Sequence, residues 1–328
     1  MKHLRLRITE LDGLRGIAAL AVVLYHYTTR FGQKFDTNLT RTVWEFEYGR
    51  YGVDLFFIIS GFVIFMTIEK VKHPGEFIYK RFIRLYPTFW FCMALTFFLM
   101  KYFGPALLKR TTEELLVNIS MVPSLFGTRA IDGVYWSLLI ELCFYGFMLL
   151  LLLLQLVPKM KYVGLAFLLF YFAVCFWHKY HPELYYGSLF LMGISFYKIW
   201  KGDKSWLWHL QILVALLLSL FSPHRIDFIV TALFCALFYL FVYRQAGFLR
   251  FRPLVFIGEI SYALYLIHQH IGHTIQLWLI REGITNYYLL LLWPIFIMVL
   301  TAYLITTWFE KPVIDYLSNA GKKTALWN

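Results

Sequence analysis

Long apolar runs separated by short polar and basic segments make up this chain almost from end to end. A helix needs about 20 largely apolar residues to cross a bilayer, and about ten runs approach that length. In the first half they centre on Asp12 to Thr29, Tyr51 to Ile68, Leu85 to Phe103, Val134 to Val157 and Tyr162 to Trp177. The second half gives Leu184 to Trp200, Trp206 to Phe221, Ile226 to Tyr243, Leu254 to Ile280 and Tyr287 to Phe309. The shorter runs suit tilted helices or local bilayer thinning. The pattern predicts an all-α fold, a polytopic transmembrane helix bundle of about ten spans. Leu115 to Phe126 is apolar but too short to span, and reads as an interfacial or re-entrant piece of an outer loop. No repeat, low-complexity tract or soluble segment interrupts the series, so residues 1–328 are expected to form a single transmembrane domain.

Composition agrees with a membrane and excludes other classes. The chain is 60% hydrophobic and only 15% charged, where a soluble domain carries roughly a quarter charged residues. Many Trp and Tyr stand at the ends of the runs, where amphipathic rings suit the headgroup region. The formal charge of +12 does not indicate nucleic acid, because the basic residues are dispersed between apolar runs rather than gathered on a polar domain. Cys92, Cys143, Cys175 and Cys235 all lie inside apolar runs without pairing or CxxC spacing, and read as small core residues. The basic start MKHLRLRITELDGLRG looks like a signal peptide but lacks a small-x-small cleavage pattern, so an uncleaved first span is expected.

Ten spans put both termini on one side. Most of the 31 lysines and arginines then fall on that side, including Lys2, Arg5, Arg7, Arg15, Lys80, Arg81, Arg84, Lys198, Lys201, Arg250 and Arg252. By the positive-inside rule both termini are expected in the cytoplasm.

Polar residues inside spans are where function concentrates, since a charge near the bilayer centre costs about 3 kcal/mol. Four stand out: His26, Asp54, Glu141 and His268. At about 1.5 Å rise per residue, His26 lies roughly 16 Å beyond Arg15, and His268 is at a depth of about 20 Å. Asp54 and Glu141 fall near the outer ends of inward-running spans. The four are expected to meet in the outer half of one cavity. Plainer roles compete: a histidine in a span also serves as a helix-to-helix hydrogen bond, Asp54 suits an N-terminal cap, and the nearby His270 and His273 suit interfacial positions. Glu141, within WSLLIELCFY, needs a partner or a proton. Nothing pairs His and carboxylate at ligand-like spacing, and no metal is expected.

A second constellation is basic. Arg81 and Arg84 in YKRFIRLYP are three residues apart and share a helix face, a spacing that lets guanidinium groups clamp phosphate. The same residues also suit simple topology control and contact with anionic lipid.

Five segments in order, ITELDGLRGIAALAVVLYH, YGVDLFFIISGFVI, FIYKRFIRLYP, VYWSLLIELCFY and IGEISYALYLIHQHI, make the chain resemble the acyltransferase-3 family of membrane-bound O-acyltransferases. The resemblance rests on Arg15 and His26 with ten residues between them, on the Arg81 and Arg84 pair, and on Trp136, Ser137 and Glu141. It implies transfer of an acyl group, usually acetyl, from cytoplasmic acyl-CoA to a hydroxyl of a glycan or glycolipid outside the cytoplasmic membrane. It also implies a catalytic role for His26 and donor binding by Arg15, Arg81 and Arg84. Some relatives carry an appended periplasmic SGNH-type esterase domain, which is not expected here. No permanently bound cofactor is implied, acyl-CoA being a substrate. The expected mechanism has His26 as general base, with Glu141 or Asp54 orienting it or balancing its charge and His268 close by; a covalent acyl-histidine relay is the rival. A proton-coupled transporter or flippase of an envelope precursor also needs buried titratable groups, but the sequence shows neither an inverted repeat nor matched broken helices. A family member without activity is the third reading.

Overall fold

The computed structural model describes residues 8–35, 44–71, 73–177 and 180–323, and among these there is helix and no strand. Lys2, Arg5 and Arg7, counted above for topology, lie outside the described residues. Among the described residues six helices are long and apolar enough to cross a membrane: Glu47–Ile68, Pro74–Phe103, Gly133–Leu153, Val157–Trp177, Arg225–Val242 and Tyr287–Gly321. They coincide with six of the ten expected spans. The other four fall on helices that are shorter or more polar, beginning with Thr9–Tyr25, which carries Glu10, Asp12 and Arg15. Pro182–Trp200 has charge at both ends, and Trp206–Leu218 has 13 residues. The run expected as one span over Leu254 to Ile280 is broken at Ile260 into Arg252–Glu259 and Ser261–Arg281.

Contacts divide the chain into two compact units: Met1–Arg15, Val53–Phe77 and Ile140–Val255 form the first, and Gly16–Gly52, Ile78–Leu139 and Phe256–Asn328 the second.

In the first unit the helix ending at Ile68 packs against Pro182–Trp200 through reciprocal glycines. A Cβ on Gly61 would stand 2.0 Å from the Phe190 carbonyl oxygen, and one on Gly193 would stand 2.0 Å from that of Ile58. Small residues at such a crossing let backbones touch where no hydrophobic effect drives helices together. Phe144 stacks on Phe190 at 4.1 Å beside this contact. Gly193→Leu is therefore expected to destabilise the protein by about 2 kcal/mol or more, read as a lower thermal midpoint in detergent, whereas the same change at Gly146, which has open space, is expected to leave the midpoint in place. At one end of the unit Glu69 accepts hydrogen bonds from Lys201 (2.6 Å), Tyr197 (2.8 Å) and Lys198 (2.9 Å). Burial pushes its carboxyl up, but these donors outweigh burial and hold it below the ordinary carboxylate range.

The second unit is organised around Ser261–Arg281, in which every residue from Ala263 to His273 is buried. A helix buried all round has no lipid-facing side, which is why its polar residues can be tolerated. The apolar stretch expected as interfacial or re-entrant forms a short helix, Thr112–Asn118, closed at its N-terminus by a capping box between Thr111 and Glu114, and then a 3₁₀ turn, Pro123–Phe126. Buried Asn118 pins this loop by donating to the Arg129 carbonyl (2.9 Å) and accepting from the Ile131 N–H (3.0 Å).

Among the described residues two π turns, His26–Arg30 and Thr306–Glu310, lie in this unit. Thr9–Tyr25 continues through His26–Arg30 into Phe31–Phe35, and Tyr287–Ile305 continues through Thr306–Glu310 into Lys311–Lys323. Such bulges displace one backbone register and recur at functional sites.

Candidate active site

His26 is the first residue of the first π turn. Its carbonyl accepts the Phe31 N–H five residues on and also the Nε2–H of His273, at 3.0 Å. The next carbonyl, of Tyr27, accepts from Gln276 Nε2 at 3.0 Å, and the Tyr27 hydroxyl donates to the His268 carbonyl at 2.8 Å. Side chains of the buried histidine helix thus catch the carbonyls that the bulge takes out of register. Thr28 adds a hydroxyl bond back to the Leu24 carbonyl, at 2.7 Å.

The same contacts fix the protons. His268 Nδ1 lies 2.9 Å from the Tyr265 carbonyl and 3.2 Å from that of Leu264. A carbonyl can only accept, so Nδ1 carries the proton and Nε2 of the neutral ring is a lone pair. His26 Nδ1 lies 2.8 Å from the Val22 carbonyl and 3.2 Å from His268 Nε2. Both neighbours are acceptors, so His26 Nδ1 is protonated and shares its hydrogen between them. By elimination His26 Nε2 is the basic nitrogen. The rings meet edge to face, with centroids 4.8 Å apart.

His268 is held in turn by residues that the sequence pattern did not single out. Asp132, fully buried, accepts the His270 backbone N–H at 2.9 Å and the Val134 N–H at 3.2 Å. Tyr135 donates to the Leu266 carbonyl at 3.2 Å, so both ends of the 266 to 270 rung have side-chain partners. Burial pushes the Asp132 carboxyl up. His270 and His273, whose spacing suits interfacial residues, are instead buried, at 1% and 0% exposure. His270 Nε2 accepts from Lys34 Nζ at 3.1 Å. Ser137, from the Trp136 to Glu141 motif, lies 2.6 Å from the Tyr265 hydroxyl, one turn before His268.

His26 and His268 are thus brought into contact in the second unit. The two carboxylates expected beside them belong to the first unit, where each has hydroxyl partners. Asp54 is buried and accepts from Tyr185 at 3.2 Å, which is more than a cap. Glu141 accepts from Tyr145 at 2.6 Å and Ser60 at 3.5 Å. Arg15, also in the first unit, pairs with Asp12 at 3.2 Å.

Arg81 and Arg84 stand in Pro74–Phe103, a helix that extends well before its apolar part. Arg84 pairs with Glu310, the last residue of the second π turn, and lies over the Tyr262 ring at 5.2 Å. Glu310 is almost fully buried and also accepts from Thr306, at 3.3 Å. No group of three or more His, Cys, Asp or Glu suited to a metal ion occurs among the described residues.

Comparison with known proteins places these residues in a family context. Residues 8–310 match a family model described as an acyltransferase domain. A Rhizobium radiobacter protein named protein 2 in the picA locus is 36% identical over 94 residues, 27% of this chain and 44% of that protein. A protein of Acidianus two-tailed virus, named provisionally as an acetyltransferase, is 25% identical over 277 residues, 78% of this chain and 80% of its own length. The peptidoglycan O-acetyltransferase OatA of Listeria monocytogenes is 26% identical over 163 residues, 44% of this chain and 24% of the enzyme. The chain thus spans less than half of the first and about a quarter of the last. No solved structure matches.

Proposed function

The chain belongs to the acyltransferase-3 family, whose model covers residues 8–310, and from that premise we propose that it is a membrane O-acyltransferase moving an acyl group, acetyl first, from cytoplasmic acyl-CoA to an extracytoplasmic hydroxyl. The acceptor is a glycan or glycolipid of the cell envelope, a reading supported by the name of the Listeria relative. The protein resides in the cytoplasmic membrane with about ten spans and both termini inside, as a single transmembrane domain over residues 1–328.

The observation that carries this reading is the basic Nε2 of His26, left available by a chain of contacts that uses both ring nitrogens of His268 and Nδ1 of His26. In the reaction His26 Nε2 takes the proton of the acceptor hydroxyl as its oxygen attacks the thioester carbonyl. The C–S bond then breaks, the imidazolium returns the proton to the leaving thiolate, and the ester and free CoA depart. His268 orients the ring and shares the charge that develops on it. Asp54 and Glu141 are assigned supporting roles in the same reaction. Arg15, Arg81 and Arg84 bind the phosphates of the donor, the guanidinium groups matching phosphate geometry. No further cofactor is involved.

The test is reconstitution. Proteoliposomes given acetyl-labelled acetyl-CoA and an envelope glycan extract are expected to place label in glycan ester that mild base releases. Label transfer that proceeds without the protein, or glycan movement across the bilayer that needs no acyl-CoA, would overturn the proposal, the second result in favour of a flippase.

A further inference from the structure

Lysines near the ends of helices ordinarily carry the ammonium out to water along an apolar stem. Lys34 does the reverse. It stands in Phe31–Phe35, the helix that continues the first π turn, eight positions past His26 and about 12 Å further along the axis at the usual rise per residue. Its Nζ turns inward and donates to Nε2 of His270 at 3.1 Å, a neutral acceptor that is 1% exposed. That bond uses one of the three ammonium hydrogens. Arg110 is pinned in a comparable way. Its Nε donates to the Ala130 carbonyl at 3.1 Å, and its Nη1 to the carbonyls of Lys109 at 2.9 Å and Leu107 at 3.3 Å. These bonds set the plane of the guanidinium and leave its Nη2 edge, with two further donors, unused among the described residues. Both side chains are half-buried, and among the described residues neither touches a carboxylate. They nevertheless share a field. Burial lowers the pKa of both; Asp132 draws each back up, while Arg30 and Arg110 press Lys34 further down. The negative charge at hand falls short. Asp132 is one carboxylate between two cations, and its oxygens are taken by the N–H groups of Val134 and His270. Glu114 is paired with Arg129 at 3.0 Å, and exposed Arg30, bonded to Gln33 at 3.3 Å, adds a further positive charge. All of these residues belong to the second unit, as His26 does.

We propose that Lys34 and Arg110 form an oxyanion site on the acceptor side of His26, and that the acceptor is an acidic saccharide, one that bears a carboxylate or phosphate near the hydroxyl to be acylated. Two half-buried cations that neutral groups hold in place, with donors left over and too little counter-charge, make an arrangement that a bound oxyanion completes. Residues meant for anionic headgroups would be built differently, with charged heads running out to the interface, whereas both of these are drawn back into the protein. The separation of Lys34 from His26 along the helix is one that adjacent sugar units bridge. Amino sugars meet like charge and neutral sugars leave the cations unanswered, so the site selects against both. That the bound group belongs to the acceptor rests on the acyl-transfer reading; the binding of an oxyanion does not.

Two measurements keep these apart. The detergent-solubilised full chain is laid on an array of defined neutral, amino, uronic-acid and phosphorylated oligosaccharides, alongside Lys34→Gln and Arg30→Gln, which each remove one positive charge. Binding to the acidic members is expected, weakened by salt, lost about tenfold or more in Lys34→Gln and largely kept in Arg30→Gln. Preference for neutral or amino members, equal binding by Lys34→Gln, or an equal loss in Arg30→Gln overturns the site, the last because it would report the general field of the surface. Displacement of the saccharide by phosphatidylglycerol in mixed micelles, but not by phosphatidylcholine, also overturns it, in favour of a lipid phosphate. Lys34→Gln takes a counter-charge from buried Asp132, so its thermal midpoint is recorded too; if that variant does not fold, the preference and salt dependence of the unaltered chain decide. The bound oligosaccharide is then supplied with acetyl-CoA to proteoliposomes. Absence of transfer there counts against the acyltransferase reading while leaving the oxyanion site standing. Transfer in which Lys34→Gln raises the acceptor KM with little change in kcat supports the proposal, and an unchanged KM removes Lys34 from the acceptor site.

Discussion

Replacing His26 with alanine is expected to lower acyl transfer by about a thousandfold, the middle of the range for a lost general base, with the thermal midpoint close to that of the unaltered protein. The midpoint is spared because the bonds that hold the π turn use the carbonyls of His26 and Tyr27 and the Tyr27 hydroxyl, none of which belongs to the His26 ring. His268→Phe is expected to do less, a fall of about ten- to a hundredfold in kcat with little change in acceptor KM. The difference follows from geometry. The Val22 carbonyl still takes the hydrogen of His26 Nδ1 when His268 is gone, so the tautomer survives and what is lost is ring orientation and charge sharing. Steady-state rates of glycan acetylation check both variants. Retention of more than a tenth of the activity in His26→Ala would sink the assignment, and a His268→Phe loss as deep as that of His26→Ala would mean that Val22 alone does not hold the tautomer. A bare Nε2 suits direct base catalysis and a covalent relay alike. Trapping with labelled acetyl-CoA and no acceptor divides them: label on His26 indicates an acyl-histidine, and unlabelled protein indicates direct attack.

The residues legible in the sequence were those that violate a rule visible locally. His26 and His268 are polar positions within apolar runs, and the cost of such groups in a bilayer marks them without a structure. Asp132 breaks no local rule, because it lies in a loop where a carboxylate is ordinary. Only the fold carries it to the His270 backbone, 138 positions along the chain. Glu310 was hidden likewise, since at the end of the last apolar run it reads as a boundary residue. Asp54 and Glu141 are legible in the same way, as polar positions within apolar runs, and each has a tyrosine partner, Tyr185 and Tyr145. His270 and His273 misled: a polar residue near the end of an apparent span looks interfacial unless the whole helix is known to be buried. The π turns left one faint sign. Both contain adjacent threonines, Thr28 with Thr29 and Thr306 with Thr307. Hydroxyls that bond back to the preceding turn, as Thr28 does, compete with the regular ladder and loosen it.

Arg84 poses the sharpest test of the donor half of the site, because it has a structural duty that can masquerade as a binding one. Its partner Glu310 is 4% exposed, while Arg84 itself is 41% exposed. Arg84→Ala strands a buried carboxylate with Thr306 alone, and breaking such a pair from one side costs about 3 kcal/mol or more. A marked drop in thermal midpoint is therefore expected, together with weaker use of acyl-CoA. Activity loss in that variant alone says nothing about phosphate contact. Adding Glu310→Gln separates the two effects, since a neutral amide needs no counter-charge, and the double variant is expected to recover most of the lost midpoint. If Arg84 holds donor phosphate, the acyl-CoA KM of the stabilised double variant stays raised at least tenfold, and its dependence on salt weakens as one charge contact is lost. If the KM returns with the midpoint, Arg84 only braces the second π turn. The donor phosphates would then fall to Arg81 and Arg15, whose single substitutions should raise the KM without lowering the midpoint to the same degree.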